Sequence, residues 1–169
     1  MSYDLHMSPD DFRRRGHQMV DWVADYLENI EQYPVISQVK PGEVRAALPA
    51  AAPEGPEPFE TVLRDLDEII MPGITHWQSP HWYAYFPANS SGPSLLGELA
   101  AAGLGVQGML WATSPASTER ETVVVDCMVD LLGLPTEWKT TGRGGGVIQR
   151  SSSDSSLVAL VTARAQAAA

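Results

Sequence analysis

Lysine is almost missing from this 169-residue chain: Lys40 and Lys139 are the only two, and the other basic residues are arginine. Positive charge as a whole is scarce, 11 basic against 21 acidic residues, for a formal net charge of −10. Such a chain repels phosphate backbones and anionic lipid, which excludes general nucleic-acid binding. Cysteine is nearly absent too. Cys127 stands alone, so no internal disulfide forms, no Cys/His cluster has zinc-ligand spacing, and a reducing compartment is indicated. Missing as well are a charged-then-apolar leader and any apolar run near the ~20 residues that cross a bilayer. A cytoplasmic protein without a membrane partner is predicted.

What is present is 44% hydrophobic residues in a length that fits roughly one domain, or part of a larger one. That is enough to bury a sizeable core. Ser8, Pro9, Asp10 and Asp11 make a helix start, with a capping hydroxyl, proline at the first helical position and acids at the positive end of the dipole. Phe12, Met19, Val23, Tyr26, Leu27 and Ile30 then form one apolar stripe that runs until Pro34. Residues 35–58 are proline-rich and read as an extended connector without a packed element. Phe59, Val62, Leu63, Leu66, Ile69 and Ile70 restore helical spacing until Pro72 and Gly73 stop it.

Residues 75–91 carry Trp77, Trp82, Tyr83, Tyr85 and Phe86 without helical or strand period, between Pro80 and Pro87, and so predict a loop. Its aromatics are either a small core cluster or the wall of a ligand site. A third helix is predicted from about Pro93, and a fourth from Ser114 and Pro115 until Gly133 and Pro135. Cys127 reads as a small packing residue of that fourth helix, with a reactive thiol as the lesser reading. Glycines 144–146 lead to a short strand candidate at Val147 and Ile148, then a serine turn, then a helix from about Asp154 that nothing terminates. The pattern is that of the front part of a longer protein.

The turn Ser151, Ser152, Ser153 ahead of a helix is either an ordinary cap or an anion site, where free N–H groups, hydroxyls and the helix dipole converge. Phosphate is the natural ligand. The glycine run is not a nucleoside-triphosphate loop, since no Gly-Lys-Ser/Thr follows it. His6, His17, His76 and His81 lack metal spacing and are structural by default, His76 and His81 lying nearer any pocket in the aromatic loop. Asp65, Asp67 and Glu68 read as a solvated acidic face. No nucleophile elbow and no Cys/His catalytic pair appears.

The strings FRRRG at 12–16, IMPGITHW at 70–77, SP at 79–80, YFPANSS at 85–91, WATSPA at 111–116, TE at 118–119 and GGGVIQ at 144–149 closely resemble the aromatic L-amino-acid decarboxylases. These are group II decarboxylases that use pyridoxal 5′-phosphate (PLP), and the likeness runs from about residue 10 to the end. It implies an α/β, type I PLP-dependent transferase-like fold, of which this chain holds the helical N-terminal segment and the start of the large domain. Residues 1–90 would be a helical dimerisation segment with the aromatic pocket loop, and residues 91–169 the incomplete beginning of the PLP-binding domain.

By the same resemblance Ser152 and Ser153 receive the PLP phosphate. Trp77, Tyr85, Phe86 and Ala88 line the substrate pocket, and Met109 and Leu110 fall where the family reaches into the neighbouring subunit's pocket. Ala88 stands where the animal enzymes carry threonine, a lost hydroxyl that bears on substrate preference, although plant-like members share the alanine. Arg150 replaces an expected glycine or acid beside the phosphate turn, as an anion ligand or a perturbation. PLP chemistry also needs a lysine to hold the aldehyde and an acid to protonate the pyridine nitrogen. The family supplies both from later segments, and neither Lys40 nor Lys139 sits in a His-Lys motif.

The resemblance therefore predicts a chain with no catalytic residue of its own, inactive without the rest of a homodimeric enzyme or a second polypeptide. The expected reaction turns tyrosine, dihydroxyphenylalanine or tryptophan into its amine and CO2, with oxidative deamination as the variant seen in some relatives. The rival reading is a truncated, non-catalytic relative acting as a helical dimerisation module. Action on glutamate or histidine is a third, weaker reading, and glutamate fits less well because no basic residue sits among Trp77, Tyr85 and Phe86 to meet its side-chain carboxylate.

Overall fold

The computed structural model describes residues 7–86 and 90–168. They divide into two compact units, Met1–Ser91 and Gly92–Ala169, and each is taken by itself. In the first, helix α1 spans Pro9–Glu28, and Ser8 caps it by accepting from the Asp11 N–H. Exposed ion pairs from Arg13 to Asp10 and Arg14 to Asp11, both 2.6 Å, follow the helical i,i+3 spacing and contribute little beyond local order. Asn29 closes the helix on the Asp25 carbonyl with its backbone N–H at 3.0 Å and its side-chain amide at 2.8 Å. A 3-10 turn, Ile30–Gln32, follows before Pro34.

The connector is not free of structure, as its prolines suggested: helix α2, Glu43–Ala47, starts from Gly42 in a left-handed conformation (φ 96°). The second predicted helix is one run in three parts, α3 (Phe59–Asp65), a π-helical turn (Leu66–Ile70) and α4 (Met71–Gly73). Val44 of α2 lies against Gly73, where an added Cβ would sit 2.8 Å from its methyl. Ser37 donates to the Pro72 carbonyl at 2.8 Å, and the His76 N–H donates to the Val35 carbonyl at 2.9 Å. The acidic face is not wholly solvated, because the Trp22 indole N–H donates to Asp67 at 2.8 Å and ties α1 to the π turn.

In the second unit, helix α5 spans Gly92–Leu104 and α6 spans Pro115–Leu131. Ser114 caps α6 by accepting from the Ser117 N–H. At the other end the Gly133 N–H (φ 64°) reaches the Asp130 carbonyl at 3.0 Å and the Leu134 N–H reaches Val129 at 2.9 Å, the paired bonds of a Schellman stop. A 3-10 turn, Thr136–Trp138, precedes the glycine run, and helix α7 spans Ser152–Ala167.

Three further expectations are corrected. Val147 and Ile148 form no strand, and no strand occurs among the described residues; the Ile148 N–H donates instead to the Glu121 carboxylate at 2.7 Å, there being no second strand to pair with. Cys127 is exposed rather than packed, since it lies away from the α6 face that buries Val129. The expected sizeable core is absent among the described residues: Met71 and Val129 are the buried apolar side chains, while Leu96, Leu99, Met128, Leu131, Leu157 and Leu160 stay exposed. The apolar stripes form as predicted, but most of their area meets no partner within its own unit.

Candidate active site

The aromatic loop hangs from His76, which is only 2% exposed. Its Nδ1 lies 3.1 Å from the Tyr26 hydroxyl of α1, and its ring stacks on Tyr33 at 5.0 Å and tilts against Tyr26 at 5.7 Å. Burial holds the imidazole below its ordinary value, and a hydrogen bond to the Met71 backbone offsets that in part. Trp22 also stacks on Tyr26, at 6.2 Å. The sequence presented Tyr26 only as one tooth of an apolar stripe. Nothing in the periodicity marked it as the partner of a histidine 50 residues away.

From His76 the loop descends by successive tight turns. The Ser79 N–H donates to the His76 carbonyl and the Trp82 N–H to the Ser79 carbonyl, each at 3.0 Å. These turns bring Trp77, Trp82 and Tyr85 into a three-ring cluster with centroids 4.7, 5.9 and 6.2 Å apart. Tyr85 adopts a left-handed backbone (φ 57°), a conformation that costs an aromatic residue and is tolerated where the surroundings enforce it. Trp77 is 42% and Tyr85 82% exposed, so the cluster presents open ring faces. Phe86 is almost fully exposed and does not join it. Trp82 does join, although the motif match did not select it. Ala88 lies outside the described residues.

In the second unit, Met109 and Leu110 lie exposed between α5 and α6. Their loop is folded on itself: the Thr113 hydroxyl lies 2.8 Å from the Gln107 carbonyl and 2.9 Å from that of Leu110, and the Trp111 indole donates to Glu119 at 2.9 Å.

Ser152 and Ser153 occupy the first turn of α7, two residues earlier than the predicted helix start. Ser151 provides the cap, accepting from the Asp154 N–H at 3.2 Å. Among the described residues neither the Ser152 nor the Ser153 hydroxyl has a protein partner. A 16-residue helix thus begins with open N–H groups and two uncommitted hydroxyls, donors suited to a phosphate dianion. The residues fit such a group, Asp154 in the same turn being the one opposing charge.

The segment leading to that turn is held along α6 by three carboxylates, Glu121, Asp126 and Asp130. Asp126 accepts from the Thr140 hydroxyl at 2.6 Å and from its N–H at 2.9 Å, bonds that lower its pKa. Asp130 pairs with Lys139, and Glu121 holds Ile148. The glycine run lies against the 3-10 turn, with the Arg143 N–H donating to Glu137 at 3.0 Å and the Gly145 N–H to Trp138 at 2.9 Å. Around this turn is a cavity of about 630 Å³ lined by Val129, Trp138 and Arg143 among others.

These features define a class before a family. The structure of Catharanthus roseus tryptophan decarboxylase in complex with L-tryptophan superposes with a TM-score of 0.87 at 42% identity, covering 96% of this chain and 35% of that one. The chain therefore carries part of the type I fold of PLP-dependent enzymes, and its own part is helical. It belongs to the pyridoxal-dependent decarboxylases, whose conserved-domain model matches residues 41–169, a membership that implies PLP as cofactor. Tyrosine decarboxylase 2 of Narcissus pseudonarcissus is 48% identical over 158 residues, 94% of this chain and 32% of the relative. Phenylacetaldehyde synthase of Arabidopsis thaliana is 50% identical over the same shares. The chain spans about a third of the length of the relatives it matches.

Proposed function

We propose that this chain is the N-terminal part of a homodimeric, cytoplasmic decarboxylase that converts an aromatic L-amino acid of the tyrosine, dihydroxyphenylalanine or tryptophan type to its amine and CO2. The observation that carries the reading is the open cluster of Trp77, Trp82 and Tyr85 in a chain of this family. Flat ring faces bind an aromatic side chain by stacking and exclude water from it. By the resemblance, Phe86 and Ala88 belong with that pocket, and Met109 and Leu110 reach into the neighbouring subunit's. The Ser152 and Ser153 hydroxyls and the α7 N–H groups hold the cofactor's phosphate. Arg150, adjoining that turn, adds a positive charge at its rim.

In the reaction the bond from Cα to the carboxylate breaks, CO2 leaves, and a proton takes its place on Cα. Bound PLP supplies the electron sink for the pair left behind. The lysine that anchors the cofactor comes from residues outside this chain, since Lys139 is committed to Asp130 and Lys40 lies in the turn before α2. Alone, the chain is inactive. Residues 1–90 act as the dimerisation segment through the stripes of α1 and α3, and residues 91–169 begin the cofactor domain. A lone, exposed Cys127 suits a reducing compartment, and no helix among the described residues is long and apolar enough to cross a membrane. The scarcity of buried apolar residues weighs against the rival reading of a self-sufficient interaction module.

The test has two parts. Denaturing intact-mass analysis of the native protein after borohydride reduction should find PLP mass on a polypeptide larger than, or additional to, the 18.3 kDa of this chain. The PLP-loaded protein should release CO2 and amine from L-tyrosine, L-tryptophan or L-dihydroxyphenylalanine. Aldehyde in place of amine would move the assignment to the phenylacetaldehyde synthase type of outcome. No CO2 from any of the three would sink it, and a stable folded dimer of the isolated chain would favour the module.

A further inference from the structure

We infer that Tyr26 and His76 are positioning residues that set the register of the aromatic loop, and so the orientation of Trp77 toward substrate. The inference rests on the reading of Trp77 as a pocket residue. Filling the space between α1 and the loop needs no polar atoms, since two phenylalanines would stack on Tyr33 and Trp22 as well as Tyr26 and His76 do. The structure instead spends a nearly sealed imidazole and a hydroxyl on one bond of 3.1 Å, and burying such groups is costly unless the bond is made. What a directional bond adds to stacking is a fixed ring rotation.

That rotation matters because His76 is bonded through all of its parts. Its side chain reaches Tyr26 on α1, its N–H reaches the Val35 carbonyl of the connector, and its own carbonyl accepts from Ser79. Trp77 is the next residue. Ser79, itself 6% exposed, receives the Trp82 N–H on its carbonyl, so the second indole of the cluster hangs from the same turn. Trp22 extends the chain of contacts in the other direction, stacked on Tyr26 and bonded to Asp67 of the π turn. The Tyr26–His76 contact thus adds a directional link from helix α1, and from the π turn that Trp22 ties to it, to the turn that carries the two indoles.

The test uses the PLP-loaded full-length enzyme with Tyr26→Phe, His76→Phe and the double variant. Two indoles 4.7 Å apart produce an exciton couplet in far-ultraviolet circular dichroism, isolated as the difference from Trp82→Phe. Each single variant should weaken that couplet at temperatures where it is still folded. Each should also raise KM for L-tryptophan or L-tyrosine about threefold to tenfold, the scale of one lost hydrogen bond, with kcat within about twofold. The double variant should be no worse than either single one. Lowered Tm with couplet and KM unchanged would overturn the inference. Tyr26→Phe keeps every ring and decides the matter if His76→Phe does not fold. Should the wild-type enzyme release no CO2, the functional reading fails by itself, while the couplet still judges the Tyr26–His76 link.

Discussion

Replacing Gly144 by alanine puts one methyl group where the fold has no room. An ideal Cβ there would lie 2.0 Å from the Trp138 carbonyl oxygen and 2.2 Å from its carbon, against ~3.5 Å for ordinary carbon contacts. The obstacle is backbone of the 3-10 turn, not the end of a flexible side chain, so residues 142–146 must retreat by about 1.5 Å. Two bonds hold them in place, Arg143 N–H to Glu137 and Gly145 N–H to Trp138, each contributing about 0.5–1.5 kcal/mol. With overpacking of about 1–3 kcal/mol, the loss comes to roughly 2–6 kcal/mol. At about 2–4 °C per kcal/mol, a thermal melt should show Tm lowered by roughly 4–24 °C. Gly16→Ala is the control, because Gly16 lies within α1 with nothing within 4 Å of the added methyl. There alanine should stabilise by up to about 1 kcal/mol. If Gly144→Ala melts with the wild type, or if both variants shift the same way, the account of the glycine run as a close-approach device is wrong.

Ser114→Ala removes the cap of α6 and leaves the Ser117 N–H without its acceptor, so the melt should fall by an amount equivalent to about 1 kcal/mol; no change would mean water replaces the cap. Burial lowers the His76 pKa from its ordinary 6.5, while Tyr26, Tyr33 and the Met71 backbone place no carboxylate against the ring. Between that folded value and 6.5 the unfolded chain binds more protons, so stability should be full above 6.5 and decline as pH falls below it. His76→Phe should flatten the decline in melts across that window, and an unaltered slope would reassign it. Ser153→Ala should weaken PLP binding by about tenfold to a hundredfold in equilibrium dialysis of the full-length enzyme, since a hydrogen bond to a charged group contributes ~1.5–3 kcal/mol; unchanged affinity would exclude Ser153 as a phosphate ligand.

The helices were legible because their signals are local. Ser8 with Pro9 and Ser114 with Pro115 cap and start α1 and α6 where the sequence indicated, and Gly133 stops α6 through its own left-handed backbone. The strand at Val147 and Ile148 was misread because an apolar pair is indifferent to what accepts its N–H groups, and here a glutamate 27 residues away does so. The cofactor turn was half legible: a serine cap shows in the sequence, but which serine caps and which remain open depends on backbone angles. The Tyr26–His76 bond was invisible, because it joins two residues each with an adequate ordinary explanation.

The π turn has a consequence for how this chain tolerates change. The Met71 N–H closes on the Leu66 carbonyl, five residues back, so the helix there carries one residue more than α-helical closure would use. Deleting any one of residues 66–70 would let the run close as a regular helix, and because the α turn completes nearly the same angle with one residue fewer, the phase of everything beyond would be kept. Met71 would stay on its buried side, and the loop that begins at Ile74 would keep its bearing. An inserted residue finds no such slack, since the extra one is already accommodated, and would turn the rest of the run by about 100°. The stretch between α3 and Trp77 therefore tolerates shortening by one residue but not lengthening, which matters when this segment is grafted or aligned.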